Sequence, residues 1–359
     1  MDLLRAATLD TDRAAAAWRR WISTHVVNDA YHRSTDLLPA VSANLSNEVL
    51  GHEADRLRGL RRRGWFNTQF RLEAMVDALA LLEPLGVGPI LAKGAALSTT
   101  VYAEPGLRPI ADVDLVIGSD GFDDALAAFA AAGWRRPTAT LSPYDHAVEV
   151  VDERGRSIDL HRWVLFPRFS LVPEDDWMER SVPYSVRGCD VSRFRCADEL
   201  VLTVLHGLLV NSASSVRWPL DVVQLARDAP AVEGVTPEAF WSEVAESASA
   251  IAAGPVVANA LEMCRVELDA DIPSAFVQQL VATPLDRSLA QHWTLCRRGI
   301  TLEWRLRRYS KVQRATGRRP TIRGYVGPRV EALKSKGIST TLSVRADRVK
   351  QVIADQRRD

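Results

Sequence analysis

The stretch Leu107-Arg108-Pro109-Ile110-Ala111-Asp112-Val113-Asp114-Leu115-Val116-Ile117-Gly118 decides how this chain is read. From Ala111 to Ile117 acids alternate with apolar residues, the period-2 pattern of a strand, and Gly118 ends the run. Asp112 and Asp114 on one strand point to the same face, while Val113 and Leu115 point to the other. Two carboxylates side by side repel unless a cation sits between them.

Upstream, Gly86-Val87-Gly88-Pro89 breaks the chain, and the short apolar run Ile90-Leu91-Ala92 leads to Lys93-Gly94. Ala95 to Tyr102 then has helical composition, so this piece predicts a strand, a tight turn at the glycine and a helix. Pro105-Gly106 breaks the chain again before the acidic strand. Downstream, Asp120 to Ala132 predicts a helix. Ala147 to Asp152 and Ser157 to Val164 flank Glu153-Arg154-Gly155-Arg156, a polar four-residue connection that signals a hairpin. The hairpin places Asp159 on a strand and puts His161, two residues on, on its face. A second hairpin is predicted from Tyr184 to Phe194, turning at Gly188.

The flanks have a different texture. In the first 85 residues, Ala14 to Trp21 and Leu57 to Leu82 carry apolar residues at three- and four-residue spacing, with Gly51 and Gly64 as punctuation. From Ala197 onward helices are predicted again, over Asp198 to Val210, Pro219 to Arg227, Pro237 to Ser247 and Ala250 to Val266. The expected division is an N-terminal helical region (1–85), a core with the polar motif (86–196), a C-terminal helical domain (197–296) and a basic helical tail (297–359). Strands clustered between helical regions indicate an α+β fold built on a small mixed sheet.

Composition bounds the function. The chain has 359 residues, 47% apolar and 25% charged, with a formal net charge of zero. That length suits two or three domains at about 100–200 residues each, and nothing global attracts a polyanion. Locally, the stretch from Arg297 is rich in Arg and Lys, including Arg305, Arg307, Arg308, Lys311, Arg314, Arg318 and Arg319, with Tyr309 available for stacking. Such a run is a solvated helix face or a track for an RNA backbone. Cys189, Cys196, Cys264 and Cys296 are too sparse and irregular for a disulfide framework or a structural zinc site. Charges interrupt the first twenty residues, and no later segment runs 18 apolar residues without charge. A cytoplasmic protein with no membrane partner is the expectation.

The dispersed motifs carry a resemblance. Leu91-Ala-Lys-Gly-Ala-Ala-Leu97, Tyr102 with Pro105, Leu107 to Val116, Ile158-Asp-Leu-His-Arg-Trp163 and Arg217-Trp-Pro-Leu-Asp221 resemble the uncharacterised nucleotidyltransferase family of the polymerase-β superfamily, over about residues 40 to 250. The resemblance implies that Asp112, Asp114 and Asp159 are catalytic and hold two magnesium ions, or manganese in their place. It implies that Lys93, Gly94 and Arg108 grip the phosphates of a nucleoside triphosphate such as ATP. His161, Arg217, Trp218 and Asp221 are then candidates for substrate contact, the last three on a helix closing over the cleft. Many members of the wider superfamily have a serine after the turn glycine; here it is Ala95, which shifts the nucleotide grip to backbone N–H groups, Lys93 and Arg108.

The chemistry needs these residue types independently of the family. Magnesium prefers hard oxygen ligands, and paired ions stabilise both the attacking and the leaving oxygen of an in-line phosphoryl displacement. The expected activity is transfer of a nucleoside monophosphate to a hydroxyl, or less readily a phosphate, of a small-molecule or peptide acceptor, with release of pyrophosphate. The competing readings are an RNA or tRNA acceptor served by the basic tail, and a nucleotide- or partner-binding protein of the same fold. Single residues also have plain explanations: Lys93 as a solvated strand-end lysine, Arg108 as a partner of a nearby acid, Trp218-Pro219 as an ordinary helix start, and His206 as a satisfied core histidine. His146 and Tyr144, before the first hairpin strand, are weaker candidates.

Overall fold

The structure, a computed structural model, describes residues 1–27, 35–137, 146–165, 174–210 and 216–297. Its N-terminal part is helical, as the apolar spacing requires: α1 (Asp2–Thr8), α2 (Thr11–Ile22), α3 (Leu38–Asn44), α4 (Asn47–Leu50) and the long α5 (Ala54–Leu82). Asp10 caps α2 by accepting from the Arg13 N–H, and Ser46 caps α4 through Val49. Gly51 ends α4 at a φ of 60°. Gly64, by contrast, does not break the helix but lies inside α5. A Cβ there would come within 2.8 Å of the Pro109 side chain and 3.0 Å of the Gly106 carbonyl. What looks like punctuation is a close approach, which lets the segment leading to the acidic strand pack against α5.

The central part contains β1 (Ile90–Ala92), α6 (Lys93–Thr100), β2 (Val113–Val116), α7 (Phe122–Ala131), β3 (Ala147–Val151), β4 (Ser157–His161), α8 (Glu174–Glu179), β5 (Val182–Val186) and β6 (Cys189–Arg193). The strands form one sheet in the order β3-β4-β2-β1-β6-β5. The sheet is mixed: β2 runs parallel to β4 and β1 to β6, whereas β1 and β2 are antiparallel. Both expected hairpins form. Gly155 turns the first at a φ of 76°, and Arg187 and Gly188, at 55° and 77°, turn the second as a two-residue connection with both φ positive.

Alternation then sorts the strand residues. Leu91, Val113, Leu115, Ile158 and Leu160 pack with Leu72, Met75, Leu79 and Leu82 of α5 and Phe122, Ala125 and Phe129 of α7. Each Val, Leu, Ile, Phe or Met side chain in this set stabilises the fold by about 1.5–3 kcal/mol when fully buried. Asp114, Asp159 and His161 occupy the alternate positions and face the other way. A one-residue slip of β2 would exchange the two sets and bury carboxylates among leucines, so the register is strongly specified.

On the polar side stand α9 (Cys196–Leu205), running into a π-helical turn (His206–Val210), and α10 (Trp218–Glu233). They are followed by α11 (Pro237–Ala250), α12 (Gly254–Leu268), α13 (Ser274–Val281) and α14 (Arg287–Arg297). The architecture is the expected α+β, a mixed sheet between helical regions. The chain divides into two compact units, Met1–Leu289 and Ala290–Asp359, and the sheet lies in the first. Residues 298–359, with the basic run and Tyr309, lie outside the described residues, as does Tyr144. Cys189, Cys196 and Cys264 are free thiols. No helix among the described residues is long and apolar enough to cross a membrane.

Gly64→Val is expected to destabilise the protein by about 1–3 kcal/mol, because the side chain has no room against Pro109 and Gly106. Urea unfolding measures it; a loss below about 0.5 kcal/mol, the range of ordinary surface changes, would contradict the close-packing account.

Candidate active site

β1 ends at Ala92 and α6 begins at once, so the chain must turn within a single residue. Lys93 makes that turn, with a φ of 53°. For a residue with a Cβ this left-handed conformation costs about 1–2 kcal/mol. The sequence assigned the tight turn to Gly94, but Gly94 already belongs to the helix and is needed for space: a Cβ would lie 2.5 Å from Arg108 Nη1. The strain sits on the lysine, and the glycine admits the arginine.

The register pairs Asp114 on β2 with Asp159 on β4, and Ala92 on β1 with Asp114. Lys93 Nζ donates to Asp114 Oδ1 at 2.7 Å. His161 Nε2 lies 2.9 Å from the same oxygen and 3.2 Å from Lys93 Nζ, while its Nδ1 lies 3.3 Å from the Trp163 carbonyl. Asp114, Asp159 and His161 each offer a ligand atom, all within 4.8 Å of one another. Asp112 does not share β2 with Asp114; it stands one residue before the strand, half-buried at a bend. It lines the same cavity but stands outside that trio.

The charges are far from their solution balance. Burial works against the Asp114 carboxylate, but Lys93 and the His161 hydrogen bond hold its pKa well below the usual range. Asp159 has no such help: burial, then the charges of Asp114 and Asp112, push it up to about 7. Burial and Asp114 also raise Asp112. Burial, then Lys93, lowers His161, which favours the neutral ring. The neutral ring donates its Nε2–H to Asp114 Oδ1, and an ion at Nε2 would require that proton to leave for Nδ1, beside the Trp163 carbonyl. Two carboxylates that repel and an imidazole nitrogen beside them suit a divalent cation. The trio fits one.

Arg108 takes its plainer role. Its Nε and Nη2 donate to the Asp221 Oδ1 and Oδ2 at 3.0 and 2.9 Å, and Tyr102 Oη adds a bond to Oδ1 at 2.7 Å. All three are buried, and the carboxylate raises the Arg108 pKa despite the opposing effect of burial. The bidentate bridge ties the segment before β2 to α10. Arg217 precedes α10 and donates to the Pro109 carbonyl at 2.6 Å, with Asp36 3.6 Å away. Trp218 packs against Gly207, where a Cβ would collide with its ring.

These groups converge on one cavity of about 340 Å³, lined by Lys93, Gly94, Arg108, Asp112, Asp114, Asp159, Arg217, Trp218 and Asp221. His161 stands in the wall behind Asp114. Leu97, Thr203, His206 and Gly207 line it as well. His206, read from sequence as a core histidine, is half-buried and on the cavity; burial, then Lys93, lowers its pKa to about 3. The π-helical turn, a feature frequent at functional sites, had no sequence signal. Glu199 was also missed. It is buried at the start of α9 facing the Lys93 backbone N–H, yet neither carboxylate oxygen has a hydrogen bond of good geometry. Burial, opposed by that N–H, pushes its pKa up to about 7.

The profile of the uncharacterised nucleotidyltransferase family matches residues 30–269, more than half of the chain. The chain therefore belongs to that family and is a nucleotidyltransferase. Among solved structures it is similar to the lincomycin-bound lincosamide antibiotic adenylyltransferase LnuA, at 13% identity over 44% of this chain and 95% of that one, with a TM-score of 0.31. It is also similar to an antigenic nucleotidyltransferase-like protein from Paracoccidioides brasiliensis, at 16% identity over 62% of this chain and 96% of that one, with a TM-score of 0.34. No curated protein matches.

Two outcomes test the site's electrostatics. Asp221→Leu leaves the Arg108 guanidinium buried and unpaired and is expected to cost about 3–5 kcal/mol, with Arg108→Met in the same chain recovering much of it; a double variant no more stable than the single one would contradict the bridge. The Asp159 pKa is raised in the folded state, so the stability it contributes is present below the unfolded value of about 4 and lost as pH rises through about 7. In chelator, Asp159→Asn should therefore be stabilised relative to wild type by about 1–3 kcal/mol more at neutral pH than near pH 4. Denaturation at both pH values measures this, and a pH-independent difference would contradict it.

Proposed function

We propose that the protein transfers the nucleoside monophosphate of a nucleoside triphosphate, ATP in the simplest case, to a hydroxyl of a small-molecule or peptide acceptor. The hydroxyl oxygen bonds the α-phosphorus, the bond from that phosphorus to the pyrophosphate oxygen breaks, and the hydroxyl proton passes to a base. The observation that carries this reading is the convergence of Asp112, Asp114 and Asp159 with Lys93 on one polar cavity.

Asp114, Asp159 and His161 would hold a magnesium or manganese ion, with Asp112 beside them for a second. A bound ion supplies the positive charge that offsets charge developing on the reacting oxygens. The chain's own groups do the rest. Lys93 and the backbone N–H groups of the first turn of α6 grip the phosphates, with the anion at a helix N-terminus. Arg108, although paired with Asp221, adds positive potential to the same wall. Asp159, whose pKa burial and the neighbouring acids push up to about 7, is in its carboxylate form the base for the acceptor hydroxyl. Arg217 and Trp218 form the opposite wall, where the acceptor is positioned. A cavity of about 340 Å³ has the size of a small-molecule site, which favours a small acceptor over RNA. In this reading the core 86–196 supplies the acids, and helices of 197–296 close the cleft.

Incubation with magnesium, each labelled nucleoside triphosphate and a small-molecule extract should label an acceptor and release pyrophosphate. Asp112→Asn and Asp114→Asn should each lower the rate by at least about 10²-fold, the scale of losing a group that stabilises transition-state charge, with folding retained. Full activity in both variants would remove the carboxylates from the chemistry.

A further inference from the structure

Lys93 is the one lysine before Lys311; every other Lys-or-Arg position up to residue 310 carries arginine. An ammonium is a compact point charge, whereas a guanidinium is a broad planar fork. Position 93 therefore carries the side chain that most resembles a bare ion, and it carries it on a strained turn. Its Nζ lies 2.7 Å from Asp114 Oδ1 and 3.2 Å from His161 Nε2, between two of the three members of the candidate metal trio.

The geometry makes the arrangement exclusive. Lys93 Nζ stands within hydrogen-bond distance of Asp114 Oδ1 and 3.2 Å from His161 Nε2, two of the atoms the trio would offer an ion. An ion bound by Asp114, Asp159 and His161 would take the space the ammonium now fills. Two cations at that spacing repel. We propose that Lys93 is the resident cation of the metal-free trio, and that a divalent ion binding there displaces its ammonium from His161 and Asp114. This rests on the metal reading of the trio given above.

The displaced side chain has somewhere to go. Lys93 lines the cavity beside Gly94 and Arg108, and its four-carbon stem moves without disturbing the turn. The released charge is available to a triphosphate in the same cavity. Metal loading and phosphate binding are then coupled, each favouring the other.

The test uses the full chain without nucleotide and manganese alone as the probe. Lys93→Met should bind manganese at least about tenfold more tightly than wild type, followed by electron paramagnetic resonance of the free ion. Arg217→Met removes a cation from the same cavity that does not touch the trio, and should change the affinity by less than about threefold at that separation. In wild type, acetylation of Lys93 by a succinimidyl ester, read by peptide mass spectrometry with Lys311 as internal reference, should accelerate when manganese is added. Equal affinity in wild type and Lys93→Met, an equal gain in Arg217→Met, or unaccelerated acetylation would each overturn the displacement. Absence of saturable manganese binding in both wild type and Lys93→Met would overturn the metal reading itself, and this inference with it.

Discussion

The parallel pairing of β2 with β4 sets Asp114 beside Asp159 on the side of the sheet that α9 and α10 cover, and the mutual repulsion of these two carboxylates is the constraint that the surrounding structure answers. Burial sharpens the conflict, since charge is screened less inside a protein than in bulk water. The protein resolves it unequally. Asp114 receives Lys93 and His161 and stays ionised, while Asp159 receives neither and is pushed toward neutrality. The left-handed backbone of Lys93 is the local cost of bringing an ammonium to that spot.

A second layer holds the acids in place. The apolar face of the sheet, packed on α5 and α7, fixes the register that puts both acids on the opposite face. The Arg108–Asp221 bridge with Tyr102 then ties the approach to β2 to the start of α10. Gly64, Gly94 and Gly207 each mark a point where a side chain from another segment fills the space of a missing Cβ: Pro109, Arg108 and Trp218 in turn. Two of those three partners belong to the segment before β2.

The fold and the acids were legible in the sequence because both are periodic or local. The hairpin signals at Gly155 and Gly188 and the placement of His161 two residues after Asp159 are short-range patterns present in the structure, while the alternation read over Ala111 to Ile117 forms a strand only over Val113–Val116, with Asp112 one residue before it. Pairwise contacts across the chain were not legible. Nothing in the sequence around Arg108 says that Asp221 is its partner, so the bridge that this cation makes to α10 was not legible. The same holds for Gly64, where a packing requirement looks like a break, and for Lys93-Gly94, where the strain falls on the lysine. His206 and Glu199 read as ordinary helix residues because their approach to the cavity depends on α9 packing against the Lys93 turn.

The central claim is that Asp114, Asp159 and His161 form a divalent-cation site. Crystals of the full chain soaked in manganese and measured for anomalous scattering test it most directly. The account predicts an anomalous peak within coordination distance of Asp114, Asp159 and His161 Nε2, about 2.0–2.3 Å for such ligands. A saturating soak that leaves the trio without a peak, or places the ion against other residues of the cavity, would contradict it.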